Sequence, residues 1–264
     1  MFILGLLGAF IMGSVLSLLG AGGSILTMPV LVYLFAIPAV EATTYSLLLV
    51  GFTALMGSVV YFRQGTIDTK TAVIFGIPSI LGVILARHYL LPAIPDQFEA
   101  GVTITKDFLI LITFSILMVA AAFMMIFNKK PAKTNAELDS VNKIFLVIIE
   151  GLVVGGVTGF VGAGGGFLII PALVILAGLE MKIAVGTSLI IIASKSLFGF
   201  GGDVLSGFQT DWLFVLYVLI ATMIGVLAGN HLSKKFTGDQ LKKYFGIMTL
   251  VIGIYIVAEQ LINL

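Results

Sequence analysis

Gly20-Ala-Gly-Gly-Ser-Ile-Leu-Thr-Met-Pro29 is the only break in the first 40 residues, which contain no charged side chain. A continuous helix over that stretch would be about 60 Å long, twice the roughly 30 Å hydrocarbon core of a bilayer. The chain must therefore turn here, and the glycine run is where it can do so. The motif predicts a helix at 2–19, a turn, and a short apolar helix at 24–36.

The composition indicates that the solvent around this chain is lipid. Of its 264 residues, 59% are hydrophobic and only 10% are charged, and the mean hydropathy is +1.19. Ordinary soluble domains carry about 25% charged residues, so this chain has too few to cover a globular surface. The 31 glycines fit the same class, because membrane helices use glycine for close packing.

Further apolar segments follow on both sides of a polar linker at 128–143. The hydrophobic pattern predicts them at 40–62, 70–90, 106–127, 144–161, 164–178, 183–202, 211–232 and 243–263. Together with the two segments that flank the first glycine motif, they make five segments before the linker and five after it.

The glycine motif recurs as Gly162-Ala-Gly-Gly-Gly-Phe-Leu-Ile-Ile-Pro171, and other positions recur with it in the same order. The matches are Ala42 with Ala184, Ser46 with Ser188, Leu47 with Leu189, Gly57 with Gly199 and, after a one-residue slip, Asp68 with Asp211, Gly82 with Gly225 and His88 with His231. An ordered series of this kind predicts an internal duplication. We therefore divide the chain into a first repeat at 1–127, the linker at 128–143 and a second repeat at 144–264.

An odd number of segments in each repeat predicts that the second repeat is inverted relative to the first. Most lysines and arginines fall on the linker side, so the positive-inside rule places the linker in the cytoplasm and both termini outside. The predicted fold class is an all-α, multi-pass protein of the cell inner or plasma membrane, with two inverted-topology repeats of five hydrophobic segments each. A Gly-turn pair of short helices opens each repeat. The sequence leaves open whether these pairs cross the bilayer or re-enter it.

The two glycine turns are candidate anion-binding sites. A glycine turn leaves helix-terminal N–H groups without partners, and these groups, with the positive end of the following helix, attract an anion. In an inverted repeat the two turns can face each other near the midplane, where transporters of this build hold substrate. The alternative is that the glycines only permit tight turns and close helix packing. The candidate residues are Gly22, Gly23, Ser24, Gly164, Gly165 and Gly166.

Polar side chains in the third segment of each repeat extend this candidate site. The hydroxyls of Thr44, Ser46, Thr187 and Ser188 can donate to an oxyanion, or they can cap the helix and bond back to its carbonyls. Lys195 lies deep within a predicted segment, where a charge is costly unless it faces a polar cavity or a partner. We interpret it as a cation that binds the anion. The alternatives are a snorkelling lysine or a structural pair with Glu150 or Asp203.

Several classes of function find no support in the sequence. The chain has no cysteine and only two histidines, so no thiolate or His-rich metal site is expected. No Gly-Lys-Ser/Thr follows a glycine run and no catalytic triad spacing occurs, so neither a nucleotide cofactor nor an enzyme is expected. The net charge of +1 gives no electrostatic reason to expect nucleic acid as a partner.

The motifs resemble those of the TauE/SafE family of sulfite and organosulfur anion exporters. The resemblance rests on Gly-x-Gly-Gly-(Ser/Gly)-x-Leu-x-x-Pro followed by Ala-x-x-(Tyr/Thr)-Ser-Leu, present in both halves. It implies export of sulfite, sulfoacetate or a related sulfonate-type anion. One departure from the repeat is Tyr45, which stands where the second half has Thr187.

Three functions stay open at this point. The first is a secondary transporter that works by alternating access around a midplane anion site. The second is a passive anion channel, and the third is a membrane assembly protein without flux of its own. The expected partners are a small sulfur-containing anion and membrane lipid. The sequence leaves open whether the chain also forms a homodimer.

Overall fold

The computed structural model describes residues 2–19, 24–99, 103–127, 140–175, 177–232 and 238–262. Within them the longer helices are α1 (Phe2–Leu19), α3 (Ala39–Arg63), α4 (Thr69–Leu85), α6 (Lys106–Phe127), α7 (Ser140–Val161), α8 (Gly166–Ile175), α9 (Met181–Leu205), α10 (Trp212–Leu232) and α11 (Gly238–Ile262). The short elements are α2 (Thr27–Pro29), α5 (Leu91–Ala93), π-helical turns at Val30–Leu34 and Ala86–Leu90, and strands β1 (Gln97–Glu99) and β2 (Thr103–Thr105).

Long apolar helices dominate the part of the chain that the structure describes, and six of them can cross a membrane. They are Ala39–Arg63, Thr69–Ala93, Lys106–Met124, Ile144–Val161, Met181–Leu205 and Trp212–Gly229. The prediction of an all-α, multi-pass membrane protein is therefore confirmed. Helix α8 has only 10 residues, about 15 Å, or half the hydrocarbon core. It cannot span the bilayer alone, so the second glycine motif joins a long helix to a short one.

The long helices pack mainly in pairs: α1 against α10, α4 against α7, α3 against α9, and α6 against α11. The spans formed by α3 and α9 are the most buried of the six, with 59% and 67% of their apolar windows inside the protein. These two central helices carry Lys195 and the candidate hydroxyls of both halves.

Glycines set the close approach of the outer helix pairs. A Cβ atom added at Gly155 of α7 would lie 2.1 Å from the carbonyl oxygen of Ser79 in α4. At Gly13 of α1, it would lie 2.0 Å from the carbonyl oxygen of Thr222 in α10. Small residues let membrane helices bring their backbones together in this way. The many glycines of this chain are thus a packing requirement as well as a turn signal.

These contacts are reciprocal under the alignment of the two halves. With the same spacing, Gly13 corresponds to Gly155 and Thr222 to Ser79, so the α1–α10 contact has its counterpart in the α4–α7 contact. The central helices α3 and α9 show the same reciprocity, because Gly57 packs on Leu189 while Gly199 packs on Leu47. A pseudo-two-fold relation between the halves would generate such pairs. The duplication itself stays a prediction.

A small β-hairpin between α5 and α6 was not predicted. Strands β1 and β2 pair antiparallel, with Phe98 opposite Ile104. The alternating polar and apolar residues of Gln97–Glu99 and Thr103–Thr105 have the period of a strand, but each run is too short to stand out beside the long apolar segments. Asp107, just after the hairpin, accepts a hydrogen bond from the N–H of Val40 at 3.0 Å.

Candidate functional site

The turn between α7 and α8 is buried and has an unusual backbone. Gly162, Gly164 and Gly165 have φ angles of +74°, +63° and +76°, a region that only glycine enters at low cost. The N–H groups of Leu168 and Ile169 both donate to the carbonyl of Gly165 at 3.0 Å. Within the described residues, no acceptor is found for the N–H groups of Gly164, Gly166 and Phe167. Left-handed turns that direct successive N–H groups inward form concavities suited to anions.

The first glycine motif meets the second one. Gly22 and Gly23 lie outside the described residues, but Ser24 is described and fully buried. A Cβ atom added at Gly164 would lie 3.4 Å from the Cβ of Ser24. The residue that follows one glycine run thus lies against the other run. Ser24 of the first half and Gly164 of the second half therefore share one region of the interior.

Lys195 projects from α9 onto the second glycine turn. Its side chain is 1% exposed, and its Nζ donates a hydrogen bond to Oγ1 of Thr158 in α7. A Cβ atom added at Gly165 would lie 3.0 Å from this Nζ. Thr158 is itself held by the backbone, since its hydroxyl donates to the carbonyl of Val154 at 2.7 Å. The ammonium group therefore sits at the turn with one acceptor in the described part of the chain.

Neither carboxylate that the sequence offered as a partner pairs with Lys195. Asp203 forms an ion pair with Arg87 instead. Glu150 has one buried carboxylate oxygen for which no hydrogen-bond partner is found among the described residues. A deeply buried ammonium group without a counter-ion is costly in a membrane protein unless a ligand supplies the missing charge.

The candidate hydroxyls fall into two groups. Ser46 is fully buried and its hydroxyl has no hydrogen-bond partner in the described residues. It lies one helical turn from Thr43, which packs on Gly162, and one turn from Val50, which packs on Gly164. The hydroxyls of Thr187 and Ser188 already take part in hydrogen bonds. The N–H of Asp68 donates to Thr187 at 3.0 Å, and Ser188 donates to the carbonyl of Val185 at 2.8 Å.

Thr44 belongs to a buried ionic cluster that the sequence analysis missed. Its hydroxyl donates to Oδ2 of Asp203 at 2.9 Å and accepts from Nη2 of Arg87 at 2.6 Å. The Nε of Arg87 donates to Oδ1 of Asp203 at 2.6 Å. The Nη1 of Arg87 donates to the hydroxyl of Thr43 at 3.2 Å and to the carbonyl of Gly159 at 3.0 Å. We call these five residues the clasp.

The sequence carries one signal that points to the clasp. The side chains of Arg87 and Asp203 are only 5% and 14% exposed. Because His88 matches His231, Arg87 matches Asn230. This charge is present in one repeat and missing from the other, as with Lys195 and Thr53. The two halves of the aligned sequence therefore differ in charge at both positions.

Comparison with known proteins decides the family. The family described as "Sulfite exporter TauE/SafE" matches residues 5–256 of this chain. The chain belongs to the TauE/SafE family. Its two glycine motifs, Lys195 and the clasp all lie within the matched part.

Relatives of this TauE/SafE chain carry transporter names. A "probable membrane transporter protein YunE" of Bacillus subtilis is 28% identical over 94% of this chain and 94% of its own length. A "probable membrane transporter protein" of Xylella fastidiosa is 26% identical over 94% of this chain and 91% of its own length. No solved structure matches the chain significantly. The TauE/SafE match and these relatives identify a membrane transporter.

Proposed function

We propose that this protein exports a small sulfur-containing anion, sulfite or an organosulfonate such as sulfoacetate, through the cell membrane. The observation that carries the proposal is the buried amine of Lys195, which lies against a glycine turn. Among the described residues, this amine has no carboxylate partner, and three N–H groups of the turn have no acceptor. The family description names sulfite as the exported solute, and the site has the charge that sulfite requires.

The donors around this site suit an oxyanion. Sulfite, bisulfite and sulfonate groups all have several negatively charged oxygens that accept hydrogen bonds at neutral pH. Lys195 and the N–H groups of Gly164 and Gly166 provide donors, and the hydroxyl of Ser46 provides another. Charge-assisted hydrogen bonds of this type are the strongest in proteins. An anion held here would also neutralise the buried ammonium group.

Alternating access is the mechanism that we propose for this transport. Lys195 and Ser46 are both buried, so neither side chain reaches bulk water in this conformation. The reciprocal helix contacts support two repeats of inverted topology, and rocking of one repeat against the other would open the site to each side in turn. In this arrangement the linker at 128–143 is cytoplasmic and both termini are outside.

The test is anion flux with the purified protein in lipid vesicles. Sulfite, sulfoacetate, thiosulfate, sulfate and chloride are compared as substrates, with and without an imposed proton gradient. A transporter gives saturable sulfite or sulfoacetate flux at low turnover. Flux that rises linearly with concentration would instead indicate a passive channel. Absence of flux and of any anion-dependent shift in melting temperature would indicate an assembly protein and contradict the proposal.

Changing Ser46 to alanine should weaken anion binding without lowering stability. The hydroxyl is buried with no partner in the described residues, so its removal deletes no internal hydrogen bond. A neutral hydrogen bond to the anion contributes about 1 kcal/mol, so the affinity for sulfite should fall about fivefold. Thermal-shift titration with sulfite measures both quantities.

Ser58 provides the matched control on the same helix. Its hydroxyl is also buried, but it donates to the carbonyl of Leu55 at 2.7 Å. Ser58→Ala should leave the sulfite affinity unchanged. Equal affinity in Ser46→Ala and the parent protein would remove Ser46 from the site.

A further inference from the structure

The guanidinium group of Arg87 in the clasp has every N–H engaged. Its Nε and Nη2 face the two carboxylate oxygens of Asp203. Its remaining N–H groups donate to the hydroxyls of Thr43 and Thr44 and to the carbonyl of Gly159. This parallel fork is the geometry by which arginine binds planar and tetrahedral oxyanions. The clasp is therefore a complete oxyanion site that Asp203 now fills.

The position of the clasp places it between the glycine turn and one edge of the protein. Thr43 packs directly on Gly162, since a Cβ atom added at Gly162 would lie 2.4 Å from the Cα of Thr43. On the other side, no atom from another part of the described chain lies within 4 Å of a Cβ atom added at Gly201 or Gly202, just before Asp203. The clasp thus separates the turn that holds Lys195 from open space on the side opposite the linker.

The clasp also joins both halves of the chain. Thr43 and Thr44 belong to α3 and Arg87 to the π-helical turn after α4, whereas Gly159 belongs to α7 and Asp203 to α9. It closes only while the two repeats keep their present positions. π-helical turns within membrane helices recur at functional sites, and this one carries the arginine.

On the opposite side of the protein, the described residues meet through hydrogen bonds and backbone packing and form no ion pair. The N–H of Asp68 donates to Thr187 there, and Gly186 packs on the carbonyl of Thr66. Arg87 matches Asn230 in the other half, and Asp203 matches Val60 or Tyr61, depending on where the one-residue slip falls. No equivalent ion pair can form from these residues. The two sides of the protein therefore differ chemically.

We propose that the clasp is the exit gate and that Arg87 is a second station for the transported anion. As the repeats separate on this side, the anion leaves Lys195 and takes the place of the Asp203 carboxylate on the Arg87 fork. Asp203 then returns to Arg87 and expels the anion to the outside. This inference rests on the proposed function, and it assigns to Asp203 the role of an internal competitor for the substrate.

The competition between Asp203 and the anion for Arg87 is tested in variants that lack Lys195. Sulfite titrations by thermal shift are made with Lys195→Met, Lys195→Met/Asp203→Asn and Lys195→Met/Asp203→Asn/Arg87→Gln. Removing the Asp203 charge should restore at least tenfold tighter sulfite binding over Lys195→Met alone, and Arg87→Gln should abolish that gain. A purely structural ion pair would give no gain in the double variant. That result would contradict the proposal that Arg87 binds the anion. It would not bear on the role of Lys195, which is tested separately by flux and stability of the Lys195→Met variant.

A labelling experiment tests the gate even if single-charge variants fold poorly. The chain has no cysteine, so Ser46→Cys provides a unique buried thiol one turn below Thr43. Arg87→Gln/Asp203→Asn removes both charges together and leaves no unpaired ion. A membrane-impermeant thiol reagent is added from the side opposite the linker to vesicles that contain the Ser46→Cys protein. The thiol should react at least tenfold faster when Arg87→Gln/Asp203→Asn is also present than when Arg87 and Asp203 are intact. An unchanged labelling rate would show that the clasp is not the gate.

Discussion

Changing Lys195 to methionine is expected to abolish anion transport while making the protein no less stable. The ammonium group is buried, bonds only to Thr158 among the described residues, and has no counter-ion there. A charge-assisted hydrogen bond contributes up to about 3 kcal/mol, so sulfite affinity should fall about 100-fold. Methionine has a similar length and suits an apolar interior, and it removes the cost of an uncompensated buried charge. The apparent melting temperature without anion should therefore stay the same or rise.

The two measurements together separate a binding role from a structural one. If Lys195 only tied α9 to α7 through Thr158, the methionine variant would melt at a lower temperature, and anion affinity would change little. Lys182, exposed near the start of the same helix, is the control, and Lys182→Met should behave like the parent protein. Full sulfite flux in Lys195→Met would end the proposal that this lysine binds the anion.

Changing Gly155 to alanine is expected to prevent the normal packing of α7 on α4. The new methyl group would lie 2.1 Å from the carbonyl oxygen of Ser79 and 2.7 Å from its Cα. These are backbone atoms, so no side-chain rotation can relieve the overlap. Overpacking in a tight interior costs about 3 kcal/mol at the upper end of its usual range. We expect a large loss of folded yield and a lowered melting temperature in detergent.

The adjacent residue gives an unusually close control. A Cβ atom at Gly156 would meet only the carbonyl oxygen of Gly82, at 3.8 Å, which is an ordinary contact. Alanine favours a helix over glycine by about 1 kcal/mol, so Gly156→Ala should be neutral or stabilising. The same substitution at Gly13, whose Cβ would lie 2.0 Å from the carbonyl of Thr222, should be as harmful as at Gly155. Similar yields for Gly155→Ala and Gly156→Ala would contradict the described packing.

Much of the helix pattern could be predicted because the bilayer imposes it. The segments predicted at 40–62, 106–127 and 144–161 correspond to Ala39–Arg63, Lys106–Phe127 and Ser140–Val161. Each is apolar over the length that a hydrocarbon core demands. The hairpin at Gln97–Glu99 and Thr103–Thr105 was not predicted, because three residues are too few to establish the alternation of polar and apolar side chains that is typical of a strand.

The candidate site was predictable only in part, since side-chain pairing depends on which helices meet. The depth of Lys195 could be counted along its helix, but its contact with Thr158 depends on how α9 crosses α7. Thr44 and Ser46 look alike in the sequence. One is held in the clasp, whereas the other has a buried hydroxyl with no partner in the described residues.

The sequence by itself determined that this chain is a membrane protein and where most of its helices lie. It also determined that the glycine motif occurs twice. These are properties of composition and of spacing along one segment, and lipid selects for them locally. Only the tertiary structure decided that Arg87 and Asp203 meet across 116 positions of chain and that Ser24 reaches Gly164. The partner of a buried charge is whichever group the packed helices bring close to it. Helix packing therefore decides whether a buried cation pairs with an internal carboxylate or is left for a transported anion.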